Sequence, residues 1–273
     1  MTYLDYSAAT QVDEEVLNTF VKASKFYANP NSLHKLGIEA KKLIDASTSQ
    51  IAQLMNIKPS EIIYTSGASE SNNTVIKAME KFKNRGYKIL TTELEHSSIY
   101  GPLEYMKAKG FEVEYLPLKD GIIDLKILEE KLEGAVLVTV SLVNSETGVR
   151  QPIEQIGEIL KKYPKVFFHT DITQALGKIK FDLSNVDFAS FSAHKFFGIK
   201  GIGGLYKKEN IEIEPLIHGG KSTTIYRSGT PTLPLIVSLS KALRLALNDI
   251  DKKYNYIHPC STYPLSDIKI IVR

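Results

Sequence analysis

The feature that most constrains this sequence is the alternation of short β-branched runs with amphipathic helical patterns. Strands are predicted at residues 61–66, 88–92, 111–116, 135–142, 166–170 and 188–192. Helices are predicted between them at residues 70–84, 97–109, 124–132 and 153–163. Strands joined by helices run parallel, because the chain must cross over before it can pair again. The alternation therefore predicts an α/β fold, with a mostly parallel sheet and helices on both faces.

Further elements flank this alternation on both sides. Two helices are predicted before it, at residues 13–26 and 34–55, with a turn-like Asn-Pro-Asn-Ser segment between them. The elements predicted after it are strands at 203–206 and 211–216 and a helix at 233–248. We therefore divide the chain into three parts: an N-terminal arm and helix at 1–30, a large ligand-binding domain at 31–248, and a short irregular tail at 249–273.

Charge and cysteine content exclude several classes of function. The net charge is +3, and basic residues alternate with acidic ones, so the chain lacks the basic tract of a protein that binds nucleic acid or anionic membranes. One cysteine, Cys260, allows neither an internal disulfide nor a multi-cysteine metal site, which fits a reducing compartment. The sequence shows no signal peptide, and no apolar run approaches the ~20 residues of a membrane span. A cytoplasmic protein without a bound metal is therefore expected.

Polar groups follow the carboxyl ends of five predicted strands. In an open α/β sheet, ligands bind outside these ends. The segments concerned are 66–70, 93–96, 144–146, 171–174 and 192–195. Any one of them could be an ordinary loop, because loops are polar. Five successive polar segments at one edge of the sheet predict a binding site.

Three of these segments suggest particular chemistry. The small-residue turn before Ser69 offers free N–H groups at a helix start, which suits a phosphate, although Ser69 could be a plain N-cap. Asp171 follows an apolar strand, so its carboxylate needs a positive partner such as a protonated pyridine nitrogen, unless it caps the next turn. Lys195 precedes two phenylalanines. Burial there would lower its pKa, as Schiff-base formation requires, unless its amine reaches solvent.

Eight stretches along the chain match the pattern of one known family. In order, they are YLDYSAAT, NPNSLH, YTSGASESNN, ELEHSS, VNSETGVRQPI, FHTDITQALGK, SFSAHKFFGIKGIGGLY and HGG followed by RSGT. The chain thus resembles the class-V aminotransferase-fold proteins, and among them the cysteine desulfurases, over nearly its whole length. The resemblance implies the large domain of a fold-type-I enzyme that uses pyridoxal 5'-phosphate (PLP), with a seven-stranded type of sheet in the 31–248 region.

The resemblance implies a role for each candidate residue. Lys195 would form the Schiff base with PLP, and His96 would stack on the pyridine ring and assist proton transfer. Asp171 would pair with the ring nitrogen, and Gln174 would hydrogen-bond the phenolic oxygen. Thr230 would reach the phosphate of a neighbouring subunit, which implies a homodimer with shared active sites. The residues that would hold the phosphate within the subunit are Ala68, Ser69, Ser192 and His194.

Three departures from the family pattern stand out. Ser69 replaces a threonine and keeps the hydroxyl. Ser145 replaces an asparagine that contacts the cofactor; serine is shorter and would reach PLP through water. The family carries its nucleophilic cysteine and a substrate-binding arginine in a C-terminal small domain, which we expect to be absent or truncated here. Cys260 lies in a different context, His-Pro-Cys-Ser-Thr, so we favour neither Cys260 as the sulfur acceptor nor Arg273 as the arginine.

By this resemblance, the expected reaction converts L-cysteine to L-alanine and transfers sulfur to an acceptor, such as a scaffold protein of iron–sulfur cluster assembly. The proton-transfer half needs residues that are present, whereas the sulfur-transfer half needs the cysteine loop that is not found. Two alternatives stay open: another class-V aminotransferase or lyase reaction, and a catalytically inactive PLP-binding scaffold. A nucleotide-binding protein is disfavoured, because the sequence contains no phosphate loop.

Overall fold

A sheet of seven strands organises the protein in the computed structural model, which describes residues 2–220 and 222–257. The strands are β1 Ile62–Thr65, β2 Lys88–Thr91, β3 Glu112–Tyr115, β4 Leu118–Lys119, β5 Ile122–Ile123, β6 Ala135–Ser141, β7 Phe167–Asp171, β8 Phe188–Ser192 and β9 Gly203–Lys207. The helices are α1 Glu14–Ala23, α2 Lys35–Met55, α3 Ala68–Ala78, α4 Ser97–Ala108, α5 Leu125–Glu130, α6 Ile153–Leu160, α7 Leu233–Leu247 and α8 Ile250–Ile257. None of these helices is long and apolar enough to cross a membrane.

The sheet is parallel except at one strand. Its strand order is β1-β9-β8-β7-β6-β2-β3, and β4 and β5 form a separate ribbon. Only β9 runs antiparallel to its neighbours, β1 and β8. The predicted mostly parallel, seven-stranded sheet is therefore confirmed. Because β9 runs the other way, its first residue, Gly203, pairs with both Thr65 and Ser192. The carboxyl ends of β1 and β8 are thereby held on either side of one glycine.

The apolar core lies on both faces of this sheet. Successive strand residues point to opposite faces, so Phe167 and Phe168 enter different hydrophobic clusters. One cluster contains buried residues of α3 and α4, such as Val75 and Leu103. The other contains residues of α1, α2, α6 and α7, such as Leu239. Helices therefore cover the sheet on both faces, as predicted.

Two segments differ from their predicted structure. Residues 211–216 are extended but form no strand, although Ile211 and Ile213 are buried and alternate with exposed glutamates. The alternation is real, but no strand of the sheet pairs with this segment, which covers the core through the burial of Ile211 and Ile213. Residues 250–257, which were predicted to be irregular, form α8 instead. Asp249, with φ at 54°, turns the chain between α7 and α8.

Gly203 and Gly101 give different expectations for the same substitution. An ideal Cβ at Gly203 would lie 2.3 Å from the Phe191 carbonyl oxygen and 2.7 Å from Gly67 Cα. These backbone atoms cannot move aside, so Gly203→Ala should lower the free energy of unfolding by about 1–3 kcal/mol. Gly101 lies inside α4 with no atom of the described residues near its Cβ position except those of its chain neighbours, so Gly101→Ala should change the free energy of unfolding by less than about 1 kcal/mol: alanine favours the helix, but Pro102 disfavours a helical residue with a Cβ before it. Urea denaturation measures both values, and equal effects would contradict this account.

Candidate functional site

A cavity of about 580 Å³ opens at the carboxyl ends of the central strands. It is lined by residues that follow β1, β2, β6, β7 and β8 and by the N-terminal arm. Nine of the ten residues predicted from the sequence line it: Ala68, Ser69, His96, Ser145, Asp171, Gln174, Ser192, His194 and Lys195. Thr230 is exposed and does not line this cavity. The role predicted for Thr230 concerns a neighbouring subunit and stays a prediction.

The turn between β1 and α3 forms one end of the cavity. The helix begins at Ala68, whose backbone N–H donates to Ser192 Oγ at 2.7 Å. Gly67 has no side chain, and a Cβ there would lie 3.1 Å from the same hydroxyl oxygen. The first N–H groups of a helix attract anions, and Ser69 adds a hydroxyl at the cavity wall. This end of the cavity therefore has the donor groups and the space that an anion needs.

Asp171 stands at the end of β7 with its carboxylate fixed by two neutral donors. The exposed fraction of Asp171 is only 7%. Its Oδ1 accepts from the Thr173 backbone N–H at 2.9 Å, and its Oδ2 accepts from Asn72 Nδ2 at 2.8 Å. It forms no ion pair with a residue in the described part of the chain. A buried carboxylate in this state is costly, so a positively charged ligand group would stabilise it.

Lys195 follows β8 in a single short helical turn and is half-buried. Its amine donates to the backbone carbonyl oxygens of Ser7 and, at 2.8 Å, Ala8. Burial lowers the pKa of this amine below its ordinary value of 10.5. The N-terminal arm is held against this turn, because the Thr10 backbone N–H donates to the His194 carbonyl oxygen at 2.9 Å. Residues far apart in sequence therefore surround the amine.

The His96 ring lies at the start of α4 with a defined hydrogen-bonding pattern. Its Nδ1 accepts from the Ser98 backbone N–H at 3.1 Å and lies 2.8 Å from Ser98 Oγ. A backbone N–H can only donate, so in the neutral ring the proton is on Nε2. His96 can thus present an N–H donor or an aromatic face to the cavity.

Gln174 is held by contacts at both ends of its amide. Its Nε2 donates to the Ser7 carbonyl oxygen at 2.9 Å, and its Oε1 accepts from Lys178 Nζ at 2.6 Å. Each of these contacts uses one position of the amide, so Gln174 still has a second Nε2–H that it can donate to a ligand. Burial, assisted by the charge of Lys195, lowers the pKa of Lys178 to about 8. Ser145 is less constrained, and its hydroxyl donates to Glu146 at 3.0 Å.

Several residues of the site were missed by sequence reasoning. Asn72 lies four residues after Ala68 on α3, and this helical spacing places both on one face, so it was a signal that could have been used. Glu95 falls within the polar segment 93–96, next to His96. Lys178 and Ser7 lie within two of the stretches that match the family, FHTDITQALGK and YLDYSAAT, but their residue types gave no indication of a role at the site. Cys260 and Arg273 lie outside the described residues.

A buried carboxylate adjoins the cavity at Ser141. Glu95 is 8% exposed, and its oxygens accept from Thr92 Oγ1 at 2.7 Å and from the Ser141 backbone N–H at 2.9 Å. Burial raises its pKa to about 7, with a smaller contribution from the charge of Asp171, although the hydrogen bonds act in the opposite direction. Folding therefore favours the protonated form of Glu95.

The Glu95→Gln substitution should change how stability depends on pH. The unfolded chain releases this proton near pH 4.5, whereas the folded chain keeps it until about pH 7. The corresponding stabilisation is present below pH 4.5 and is lost as the pH rises to about 7. We expect this contribution to be about 3 kcal/mol and to be missing from Glu95→Gln. Urea denaturation of both proteins at a series of pH values measures the difference.

The wild type must be compared with Glu95→Gln because His169 changes the pH dependence of stability in the opposite direction. Burial lowers the pKa of His169 from 6.5 to about 4. Its contribution to stability is therefore present above pH 6.5 and is lost as the pH falls to about 4. Both proteins contain His169, so its effect cancels in the difference. A difference that does not change between pH 4.5 and 7 would contradict the role given to Glu95.

Comparison with known sequences gives long matches. The family profile described as aminotransferase class-V matches residues 2–269. The cysteine desulfurase IscS of Rickettsia bellii is 41% identical over 266 residues, which are 94% of this chain and 64% of that protein. The cysteine desulfurase IscS of Ehrlichia chaffeensis is 40% identical over 253 residues, which are 89% of this chain and 62% of that protein. The chain therefore spans less than two thirds of the length of these relatives.

Comparison with solved structures gives the same picture. A NifS-like protein has a TM-score of 0.92 at 37% identity, covering 96% of this chain and 73% of that structure. SspA in complex with cysteine has a TM-score of 0.84 at 37% identity, covering 89% and 72%. The apo cysteine desulfurase from Thermococcus onnurineus has a TM-score of 0.89 at 28% identity, covering 97% and 73%. The similarity extends over nearly all of the chain.

Proposed function

The chain belongs to the class-V aminotransferase family, and from this premise we propose that it binds PLP through Lys195 and acts on L-cysteine. The proposed reaction is that of a cysteine desulfurase, which forms L-alanine and passes the sulfur to a thiol acceptor. Two kinds of relative support this choice: those named cysteine desulfurase and the SspA structure that contains cysteine. The homodimer, the cytoplasmic location and an iron–sulfur scaffold partner stay predictions.

The observation that carries the proposal is a lysine amine and an unpaired carboxylate at one cavity. Lys195 Nζ donates to two backbone carbonyl oxygens, and Asp171 accepts from two neutral donors. Neither group forms an ion pair within residues 2–220 and 222–257. The two groups therefore fit a ligand that brings an aldehyde to the amine and a protonated ring nitrogen to the carboxylate. PLP contains both.

The other end of the cavity fits the phosphate of PLP. The N-terminus of α3, the Ser69 hydroxyl and the Ser192 hydroxyl supply neutral donors there. His194 lines the same cavity. The missing side chain at Gly67 supports the fit, because a Cβ would narrow this end against Ser192. An anion would thus be held by dipoles and hydroxyl groups.

The chain's own residues have separable tasks in the proposed reaction. PLP, when bound, supplies an electrophilic carbon and a ring that withdraws electrons from the substrate. Asp171 would hold the proton on the ring nitrogen, and Gln174 would donate Nε2–H to the phenolic oxygen. Lys195 Nζ, whose pKa is lowered by burial, would take the proton from the α carbon of the substrate. His96 would cover the ring and offer its Nε2–H.

Sulfur transfer needs a thiolate in addition to these residues. The thiolate attacks the substrate sulfur and keeps it as a persulfide, while the carbon fragment takes up a proton and leaves as L-alanine. The sole cysteine of the sequence, Cys260, lies outside the described residues. A test of the reaction should therefore supply dithiothreitol as an external acceptor.

The proposal is tested by trapping the cofactor on the purified full chain. The protein is mixed with PLP, reduced with borohydride and digested, and the peptides are mapped by mass spectrometry. We expect the reduced PLP adduct on Lys195. Incubation of the unreduced protein with L-cysteine and dithiothreitol should then release sulfide and L-alanine in equal amounts, and L-serine should release no sulfide.

Each other outcome identifies a different error. An adduct on another lysine would refute the site. An adduct on Lys195 with transamination or elimination products would replace the desulfurase reaction with another class-V reaction. An adduct on Lys195 with no turnover of any tested amino acid would leave a PLP-binding scaffold and refute the proposed activity.

A further inference from the structure

A continuous chain of hydrogen bonds joins Asp171 to His96 through two side chains that the mechanism above does not use. Asn72 Nδ2 lies 2.8 Å from Asp171 Oδ2 and 2.9 Å from Ser98 Oγ. Ser98 Oγ lies 2.8 Å from His96 Nδ1. The chain draws on β7, α3 and α4, and it links the two groups that would contact the pyridine ring of PLP. Asn72 and Ser98 are therefore placed to fix the position of His96 relative to Asp171.

The hydrogen bonds in this chain have a fixed direction. Asn72 turns its NH₂ group toward Asp171, and Asp171 Oδ2 accepts from Nδ2. The second hydrogen of that NH₂ group is then directed at Ser98 Oγ. Because His96 Nδ1 already accepts from the Ser98 backbone N–H, the Ser98 hydroxyl must also donate to Nδ1. Asn72 thus donates to both Asp171 and Ser98, and Ser98 donates to His96. This pattern leaves the proton of the neutral His96 ring on Nε2.

Asn72 makes these two hydrogen bonds at a cost in free energy, because its own side-chain oxygen is left buried without a partner among the described residues. Asn72 is 0% exposed, and its Oδ1 has no hydrogen-bond partner among the described residues. A buried polar atom without a partner costs about 1–3 kcal/mol. The amide is nevertheless held with both N–H groups in use. An apolar residue would avoid the cost but would leave Asp171 and Ser98 without their donor.

We propose that Asn72 and Ser98 are positioning residues that hold His96 in its Nε2–H tautomer and fix it relative to Asp171. The inference rests on the proposed function, since the ring of PLP would contact both groups. In this arrangement His96 donates its Nε2–H at the cavity, because its Nδ1 already accepts hydrogen bonds from Ser98. Ser98 acts on the imidazole directly, and Asn72 acts through Ser98 and Asp171.

The tautomer can be measured by NMR on the full-length chain labelled with ¹⁵N-histidine, before PLP is added. The His96 signals are identified by their loss in His96→Gln. We expect one signal from a protonated Nε2 and one from a hydrogen-bonded, unprotonated Nδ1. In Ser98→Ala the Nδ1 signal should move toward that of a free imidazole nitrogen, and in Asn72→Leu it should move in the same direction by a smaller amount.

Binding of PLP provides a second measurement, and Ser97 provides the matched control. Ser97→Ala alters an exposed serine at the start of the same helix and should leave the His96 signals and PLP affinity unchanged. Ser98→Ala should weaken PLP binding about 2- to 10-fold, the effect of one hydrogen bond. Ser98→Thr keeps a hydroxyl and should restore both readouts. The charged or titratable groups that share the cavity with His96 are unchanged in these variants: Asp5, Glu146, Asp171, His194 and Lys195.

Two results would overturn the inference. One is a proton on Nδ1 of His96 in the wild-type chain. The other is an Nδ1 signal that Ser98→Ala leaves in place. If Asn72→Leu does not fold, Ser98→Ala and its threonine rescue still decide the question. Because the tautomer is measured without PLP, the inference about His96 can fail while PLP binds, and PLP binding can fail while the tautomer is as expected.

Discussion

Replacing Lys195 with alanine is expected to abolish the covalent attachment of PLP. The substitution removes the amine that lies at the cavity between the arm carbonyls of Ser7 and Ala8. Borohydride reduction should then leave no adduct on the chain. The rate of L-alanine formation from L-cysteine should fall about 10²- to 10⁴-fold, which is the usual contribution of a proton-transfer group to a reaction rate. Mass spectrometry of the reduced protein and an alanine assay measure the two losses.

The control for this experiment is an exposed lysine on the same loop. Lys200→Ala removes an equal charge five residues further along and should leave adduct and turnover unchanged. A second amine beside the site is that of Lys178, whose pKa is also lowered but whose Nζ donates to Gln174. An undiminished adduct in Lys195→Ala, on Lys178 or elsewhere, would refute the assignment of the Schiff-base lysine.

Asp171→Asn should weaken PLP binding about 100- to 4000-fold. The introduced amide has nearly the same shape but no negative charge, so the protonated ring nitrogen would lose its partner in a buried site. Removing one member of a buried ion pair costs about 3–5 kcal/mol, and each 1.4 kcal/mol is about tenfold in affinity. Equilibrium titration followed by absorbance measures the dissociation constant, and the visible band should weaken because the ring nitrogen is less protonated.

Two controls separate the loss of PLP affinity from misfolding: the free energy of unfolding of Asp171→Asn and the PLP affinity of a second variant, Asp182→Asn. The Asp171→Asn variant would lose one of the two hydrogen bonds that the carboxylate accepts, so the free energy of unfolding without PLP should fall by only about 1 kcal/mol. Asp182→Asn changes the net charge equally at an exposed position outside the cavity and should not affect PLP affinity. Equal PLP affinity in Asp171→Asn and wild type would exclude an ion pair between Asp171 and the ring.

The strands were predictable where burial alone decides their sequence. Strand β6 was predicted at 135–142 and spans Ala135–Ser141, and β8 was predicted with the same bounds that the structure shows. Central parallel strands are covered on both faces, so they appear as continuous apolar runs. Residues 211–216 carry a strand-like alternation as well, but a strand also requires a partner strand, and none pairs with this segment. Which segments pair is decided by the whole sheet.

The site was predictable to the extent that it follows strand ends. Nine candidate residues line one cavity, because parallel strands place their carboxyl ends at the same edge. The Asn72–Ser98 link was not predictable, since each residue alone looks like an ordinary polar position on a helix. The link exists only because the fold brings α3, α4 and β7 into contact.

The amino-acid sequence by itself determined the elements, the direction of the sheet and the edge at which chemistry is possible, because periodicity and burial are encoded locally. The tertiary structure decided the states of the groups at that edge. It placed the N-terminal arm against Lys195, more than 180 residues away in sequence, and left Asp171 buried without an ion pair to any described residue. It also brought the Ser98 backbone N–H to 3.1 Å from His96 Nδ1. These properties depend on distance and on the surrounding dielectric, which exist only once the chain has folded.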